Sequence, residues 1–153
     1  MVRRSCERNG FQDRVLSADV ALSDSNQDKV VFYVSTDPNQ MGISTMHPWQ
    51  EHIKAGNLSE KNTISVRTVC FDDWVKDVRL NAIDMIKLDV EGAEMQVLRG
   101  MRGSLERFKP ANIIVETSME GEVAKYLQDL GYRPEPLELH APKDKWGNIL
   151  FVR

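Results

Sequence analysis

The sequence predicts an α/β layer fold. Strand-like and helix-like runs alternate along the whole chain, and that alternation is the pattern of helices packed on a sheet. Two of the strand-like runs, residues 83–90 (IDMIKLDV) and 111–116 (ANIIVE), are nearly continuous in apolar residues, as expected of strands covered on both faces. The last two strand-like runs are joined by a polar turn, which predicts an antiparallel pair at one sheet edge.

The elements follow in order. Residues 1–9 read as the end of a polar helix, closed by the cap signal of Asn9 and Gly10. Residues 15–22 read as a strand ended by the turn residues Ser23, Asp24, Ser25 and Asn26. Residues 30–34 (VVFYV) form a second strand, rich in β-branched and aromatic side chains. The stretch from Ser35 to Lys61 is polar and irregular, with a turn at Asp37-Pro38-Asn39 and a short helix near residues 49–55. Residues 63–69 (TISVRTV) alternate and predict a strand with one wet face. Residues 71–78 predict an amphipathic helix with Phe71, Trp74, Val75 and Val78 on one side. After the strand 83–90 come a helix over 93–99 and a second helical segment over 101–108. Leu98, Met101, Leu105 and Phe108 share a face, and Gly100 and Gly103 predict a break between the two. A helix over 121–130 follows the strand 111–116 and is closed by Gly131. Strands over 132–139 and 148–152 end the chain.

The chain has 153 residues, the size of one domain that buries a core without staples. Its 20 basic residues against 23 acidic ones give a net charge of −3, against a nucleic-acid binder or a polybasic membrane module. No apolar run nears the ~18 residues of a spanning helix, and the MVRRSCERNG start lacks the apolar stretch of a secretory signal. Cys6 and Cys70 are too few for a disulfide framework, and a reducing, cytoplasmic compartment is expected.

The stretch that carries chemistry is Asp89-Val90-Glu91-Gly92-Ala93-Glu94, where an apolar strand ends in acids and a glycine before a helix begins. In open α/β sheets ligands bind beyond the carboxyl ends of the strands. Glu116 ends the next strand at the same edge. Two readings stay open on local pattern. Acids at a helix N-terminus are favoured by the helix dipole by ~0.3–1 kcal/mol, so Asp89 or Glu91 caps the helix; or the acids form a site. Lys87, inside the strand, needs a partner, and a structural ion pair with a neighbouring carboxylate is expected.

The run 83–100 (IDMIKLDVEGAEMQVLRG), followed by Leu105, Phe108 and Pro110 in an L-x-x-F-x-P spacing and by 113–116 (IIVE), resembles the signature of FkbM-type methyltransferases. Earlier stretches agree: residues 8–15 (RNGFQDRV), 21–24 (ALSD) and 30–34 resemble the approach to that family's third strand. Residues 67–72 (RTVCFD) resemble its V-x-T-L-D stretch, with mild departures at Val69, Cys70 and Phe71. The resemblance covers nearly the whole chain. It implies a Rossmann-like class I methyltransferase sheet, S-adenosyl-L-methionine as cosubstrate, and O-methylation of a hydroxyl on a sugar, glycolipid or natural product.

Such folds hold the cosubstrate on a glycine-rich loop after the first strand. None of the nine glycines here stands in a G-x-G, and no acid ends a second strand in the family's order. Residues 1–153 are therefore expected to be a single FkbM-type domain represented by its C-terminal two-thirds, its sheet lacking the first two strands. The resemblance places Ala21 and Leu22 near the adenine, Asp89 and Glu91 facing the methyl group and acceptor, and Glu116 on the acceptor side. Asp89 is expected to act as base or as an orienting group on the acceptor hydroxyl.

The partner expected is a small-molecule or glycan hydroxyl acceptor, with no nucleic acid and no membrane, and with a homo-oligomer formed through the exposed edge of the strand 83–90. The chain alone is expected to bind cosubstrate very weakly or not at all, and to be inactive. An alternative is a non-catalytic remnant that serves as a binding or oligomerisation module. A further one takes Asp89, Glu91, Glu94 and Glu116 as oxygen ligands of a hard divalent cation. His47, His52 and His140 are too scattered to predict a metal site. Cys70 reads as a small core residue, Trp49, Trp74 and Trp146 as packing or pocket walls, and Met41 and Met46 as part of a surface loop or of a lid over the acceptor.

Overall fold

The computed structural model describes residues 2–137 and 146–153, apart from the side chain of Met41. The fold is mixed α/β, with two sheets. The elements are α1 (Val2–Asn9), β1 (Ala21–Leu22), β2 (Gln27–Tyr33), a 3-10 segment (Pro38–Ile43), α2 (Gln50–Lys54), β3 (Thr63–Val69), α3 (Phe71–Val78), β4 (Met85–Leu88), α4 (Glu94–Gly100), α5 (Arg102–Phe108), β5 (Asn112–Thr117), α6 (Glu122–Asp129), β6 (Arg133–Pro136) and β7 (Gly147–Val152). The first sheet has the order β1-β3-β2, with β1 parallel and β2 antiparallel to β3. The second has the order β4-β5-β7-β6, parallel between β4 and β5 and antiparallel elsewhere. The antiparallel pair expected at the C-terminal edge is present as β6 and β7. Of the turn between them, residues 138–145, His140 included, lie outside the described residues.

The core belongs to the second sheet. Leu88, Ile113, Val115, Ile149 and Phe151 from its strands meet Val97 and Leu98 from α4, Leu105 from α5, Met101 between the two helices, and Val123, Ala124 and Leu127 from α6. On β5 burial alternates residue by residue, Ile113, Val115 and Thr117 being buried. The break expected near Gly100 falls at Met101, which ends α4 and precedes α5. Gly100 serves a contact as well: a Cβ there would stand 2.0 Å from the backbone oxygen of Ser23, so the turn after β1 presses directly on α4.

Three expectations are corrected. The strand over 15–22 is reduced to Ala21 and Leu22; the polar Ser17 and Asp19 interrupt it, and Val15 and Leu16 are exposed. The strand over 83–90 shortens to Met85–Leu88 and is not covered on both faces, since Met85 and Lys87 are exposed while Leu88 is buried. The outer edge of β4 has no strand beside it among the described residues. Finally, the polar stretch 35–61 is not a plain surface loop: Ser35, Thr45 and Leu58 in it are buried. No described helix is long and apolar enough to cross a membrane.

Candidate active site

β4 ends at Leu88, and the chain must reverse before α4 can pack on the sheet. It does so through Glu91 and Gly92, with φ of 50° and 91°, two successive left-handed residues. Gly92 adopts that conformation freely, whereas a glutamate does so rarely and at a cost. Strain of this kind persists only where the surroundings hold it, and it gathers at functional sites. Two contacts hold this turn. The Thr45 hydroxyl donates to the Glu91 carbonyl oxygen at 2.6 Å, and Glu94 Oε1 accepts from the backbone N–H of Val90 and Gly92 at 3.4 and 3.3 Å. No side chain caps the start of α4, so neither Asp89 nor Glu91 plays the capping role left open to them; Glu94 is buried and spent on the turn before its own helix.

With Glu94 removed, the acids that converge are Asp89, Glu91 and Glu116. One carboxylate oxygen from each lies within 4.8 Å of the others. The parallel pairing of β4 with β5 causes this, because it sets the two strand ends side by side. Burial raises the pKa of Glu91, and the negative charges of Glu116, Asp89 and Glu94 raise it further, while His52 opposes them. Carboxylates so close find relief in a proton, a cation or a positive side chain. Lys87 supplies part of that relief at the rim. Its ammonium lies 3.4 Å from Asp89 and donates to Asn148 Oδ1 at 2.7 Å, so the expected ion pair is present, on an exposed side chain.

The structure brings four of the expected site residues into one cleft. Ala21, Leu22, Asp89 and Glu91 line a cavity of about 330 Å³, with Val20 and Phe32 in its walls and Met46 at its border. Glu116 joins through the carboxylate cluster. Ala21 and Leu22 reach the cleft because β1 pairs with β3 and leaves its other side toward the β4 turn. Sequence reasoning missed Thr45, which carries no motif and reaches the turn only through the tertiary path of its loop. His47 and His52 belong to no metal-suited cluster among the described residues, and His140 lies outside them.

Across the same turn lies a second cleft of about 350 Å³, lined by Trp49, Gly92, Glu94, Gln96, Thr117 and Trp146 among others. Trp49 and Trp146 meet edge to face, ring centroids 6.2 Å apart and planes at 87°. A Cβ on residue 92 would stand 3.4 Å from Trp49 Nε1, so the indole lies directly over the glycine. Cys70 is partly buried at the start of α3, with its pKa raised by burial.

The family described as methyltransferase FkbM domain matches residues 6–134. The chain is 31% identical over 109 residues to 2-O-methyltransferase NoeI of Sinorhizobium fredii (strain NBRC 101917 / NGR234), over 68% of its own length and 44% of that protein's. Among solved structures it is similar to methyltransferase FkbM from Methylobacillus flagellatus KT, with a TM-score of 0.55 and 16% identity over 99% of this chain. The chain spans less than half of NoeI and 32% of the Methylobacillus protein.

Proposed function

The chain belongs to the FkbM methyltransferase domain family, and from that premise we propose that it takes part in S-adenosyl-L-methionine-dependent O-methylation of a hydroxyl on a sugar, glycolipid or natural product. The observation that carries the reading is the meeting of Ala21, Leu22, Asp89 and Glu91 in one cleft, with Glu116 beside them. The cosubstrate supplies a methyl group on a positively charged sulfur. The residues present suit one end of it: Ala21, Leu22 and Phe32 offer an apolar wall for a flat base, and the carboxylates at the far side favour a positive charge. Among the described residues no glycine-rich loop lines the cleft. Its volume sits at the low end of the ~300–1,000 Å³ of ligand pockets, so weak binding by this chain is expected. NoeI is by its name a 2-O-methyltransferase, which supports an oxygen acceptor here.

In this reading Asp89, exposed at the strand end, takes the proton of the acceptor hydroxyl or orients it. Glu91 and Glu116 hold the negative field around it. Two free cysteines, Cys6 and Cys70, support a reducing, cytoplasmic setting. We also propose that the two sheets are the two halves of one Rossmann-like sheet, separated by the cleft of about 580 Å³ between Leu22, Phe71 and β4. The alternative, a non-catalytic binding or oligomerisation module, is favoured by the free outer edge of β4. Amide NMR shifts on titrating S-adenosyl-L-methionine decide between them. Expected are weak, saturable shifts at Ala21, Leu22, Glu91 and Ala93. Shifts around Arg67 and Trp74 instead, or tight binding away from this cleft, would overturn the methyltransferase reading.

A further inference from the structure

We propose that Thr45 is a positioning residue for the candidate site: it clasps the two sheets together across the first cleft and so sets where the Glu91 carboxylate stands. Its part in methyl transfer rests on the methyltransferase reading; the clasp itself does not.

Thr45 is 1% exposed, and each of its polar groups has a partner. Its backbone forms an isolated antiparallel bridge with Tyr33, the last residue of β2. The Tyr33 N–H donates to the Thr45 carbonyl oxygen at 2.8 Å, and the Thr45 N–H donates to the Tyr33 carbonyl oxygen at 3.0 Å. Its hydroxyl accepts from the His47 N–H at 2.9 Å and donates to the Glu91 carbonyl oxygen at 2.6 Å. The backbone thus ties Thr45 to the first sheet, and the side chain ties it to the turn that ends β4 in the second. Beside it the Ser44 hydroxyl accepts from the Ser35 N–H at 3.0 Å, which fixes the same stretch of loop to the end of β2.

The clasp spans the cleft. Ser44 and Met46, on either side of Thr45, line it from the loop; Phe32, next to Tyr33, lines it from β2; Asp89 and Glu91 line it from the β4 turn. One hydroxyl therefore joins the loop wall to the acid wall. Glu91 holds a φ of 50°, a conformation that a glutamate leaves unless its surroundings fix it. Were the turn to relax, the Cα–Cβ bond of Glu91 would swing and carry the carboxylate away from Asp89 and Glu116. Glu94 holds the N–H groups of Val90 and Gly92 on either side; Thr45 holds the carbonyl of Glu91 itself. Valine has the shape and branching of threonine but can neither donate to Glu91 nor accept from His47, so both backbone groups would lose a buried partner.

The carboxyl ¹³C signal of Glu91, followed against pH in the purified chain, tests this. Its midpoint is raised by burial and by Glu116 on β5, Asp89 before the turn and Glu94 on α4, and is opposed by His52 on α2. It therefore reports how close the carboxylate stands to its neighbours. Neither cosubstrate nor acceptor is added, so failure here is separate from failure of the shifts at Ala21 and Leu22. In wild type the midpoint should lie above the ordinary glutamate value. Thr45→Val should let it fall toward that value, and Thr45→Ser should keep it raised. Asp72→Ala, which removes two hydrogen bonds to the start of α5 away from the cleft, should keep it raised as well. Circular dichroism checks that each variant is folded. If Thr45→Val is not, wild type decides: the buried Thr45 hydroxyl proton should exchange with water slowly enough to give its own signal. A midpoint unchanged by Thr45→Val, one lowered equally by Thr45→Ser or Asp72→Ala, one not raised in wild type, or a freely exchanging hydroxyl proton would overturn the proposal.

Discussion

At the residue scale the site is a problem of charge. Asp89, Glu91 and Glu116 share a few ångströms, and Glu91, the least exposed, bears the consequence. Its folded pKa is raised above its unfolded value. Between the two values the folded state therefore binds more protons than the unfolded state, and stability falls as pH rises through that window. Above the folded pKa the whole cost is present; below the unfolded pKa it is absent. Glu91→Gln should thus raise the melting temperature at neutral pH and flatten its fall between mildly acidic and neutral pH. Melting curves across that range check it, and a lower melting temperature at neutral pH would count against the repulsion. Asp89 makes a different prediction. In any active form of the protein Asp89→Asn should cut methyl transfer by ~10²–10⁴-fold, the range for a general base, with little change in melting temperature. Activity within a few-fold of wild type together with lost stability would make Asp89 structural, held by Lys87.

At the scale of elements, helices that are too short to stand alone are held by neighbours. α5 has seven residues, and no side chain of its own caps it. Asp72, in the first turn of α3, does so from outside: its two oxygens accept from the backbone N–H of Gly103 and Ser104 at 2.8 and 2.7 Å. Gly103 lets the carboxylate approach, since a Cβ there would stand 2.9 Å from it. Asp72→Ala should cost about 1 kcal/mol, within the usual ~0.5–2 for lost caps, while Asp77→Ala on the same helix should cost less. Urea denaturation measures the difference. Equal effects would mean that the contact is surface decoration. The same contact explains why two glycines that read as helix breakers sit where α4 and α5 meet: one admits Ser23, the other Asp72.

At the scale of the molecule, apolar burial is concentrated in the second sheet, and β4 closes that sheet with an edge that has no backbone partner among the described residues. Met85 on it is 54% exposed, beside a mostly apolar cleft lined by Leu22, Phe71, Ile83 and Met101. Unpaired apolar edges are templates for another chain. Light scattering of the purified chain should show concentration-dependent association, and Met85→Lys should reduce it. A monodisperse monomer at every concentration, unfolding cooperatively, would show that the edge is satisfied within one copy. The six exposed ion pairs among the described residues, from Arg3–Asp19 to Arg133–Glu135, do little to offset such an edge, because surface pairs of this kind each contribute ~0–1 kcal/mol.

The sequence by itself determined the elements whose signal is local. Residues 63–69 and 71–78 form the strand and helix their periodicity predicts, end to end. The break near Gly100, the antiparallel ending and the family signature were equally legible, because spacing and composition carry them. It also placed Asp89, Glu91 and Glu116 at adjacent strand ends. What it could not fix was anything decided by a partner distant in the chain. Whether Met85 and Lys87 are covered depends on what packs on β4, and apolar periodicity alone reads an edge strand and a central one alike. Which acid holds the turn depended on side-chain reach, and it is Glu94, which points back at Val90 and Gly92. Thr45, 46 residues from Glu91, and the Trp49–Trp146 pair, 97 apart, have no local signature at all. Only tertiary structure brings them to the β4 turn, Thr45 and Trp49 by the path of the polar loop and Trp146 by the start of β7.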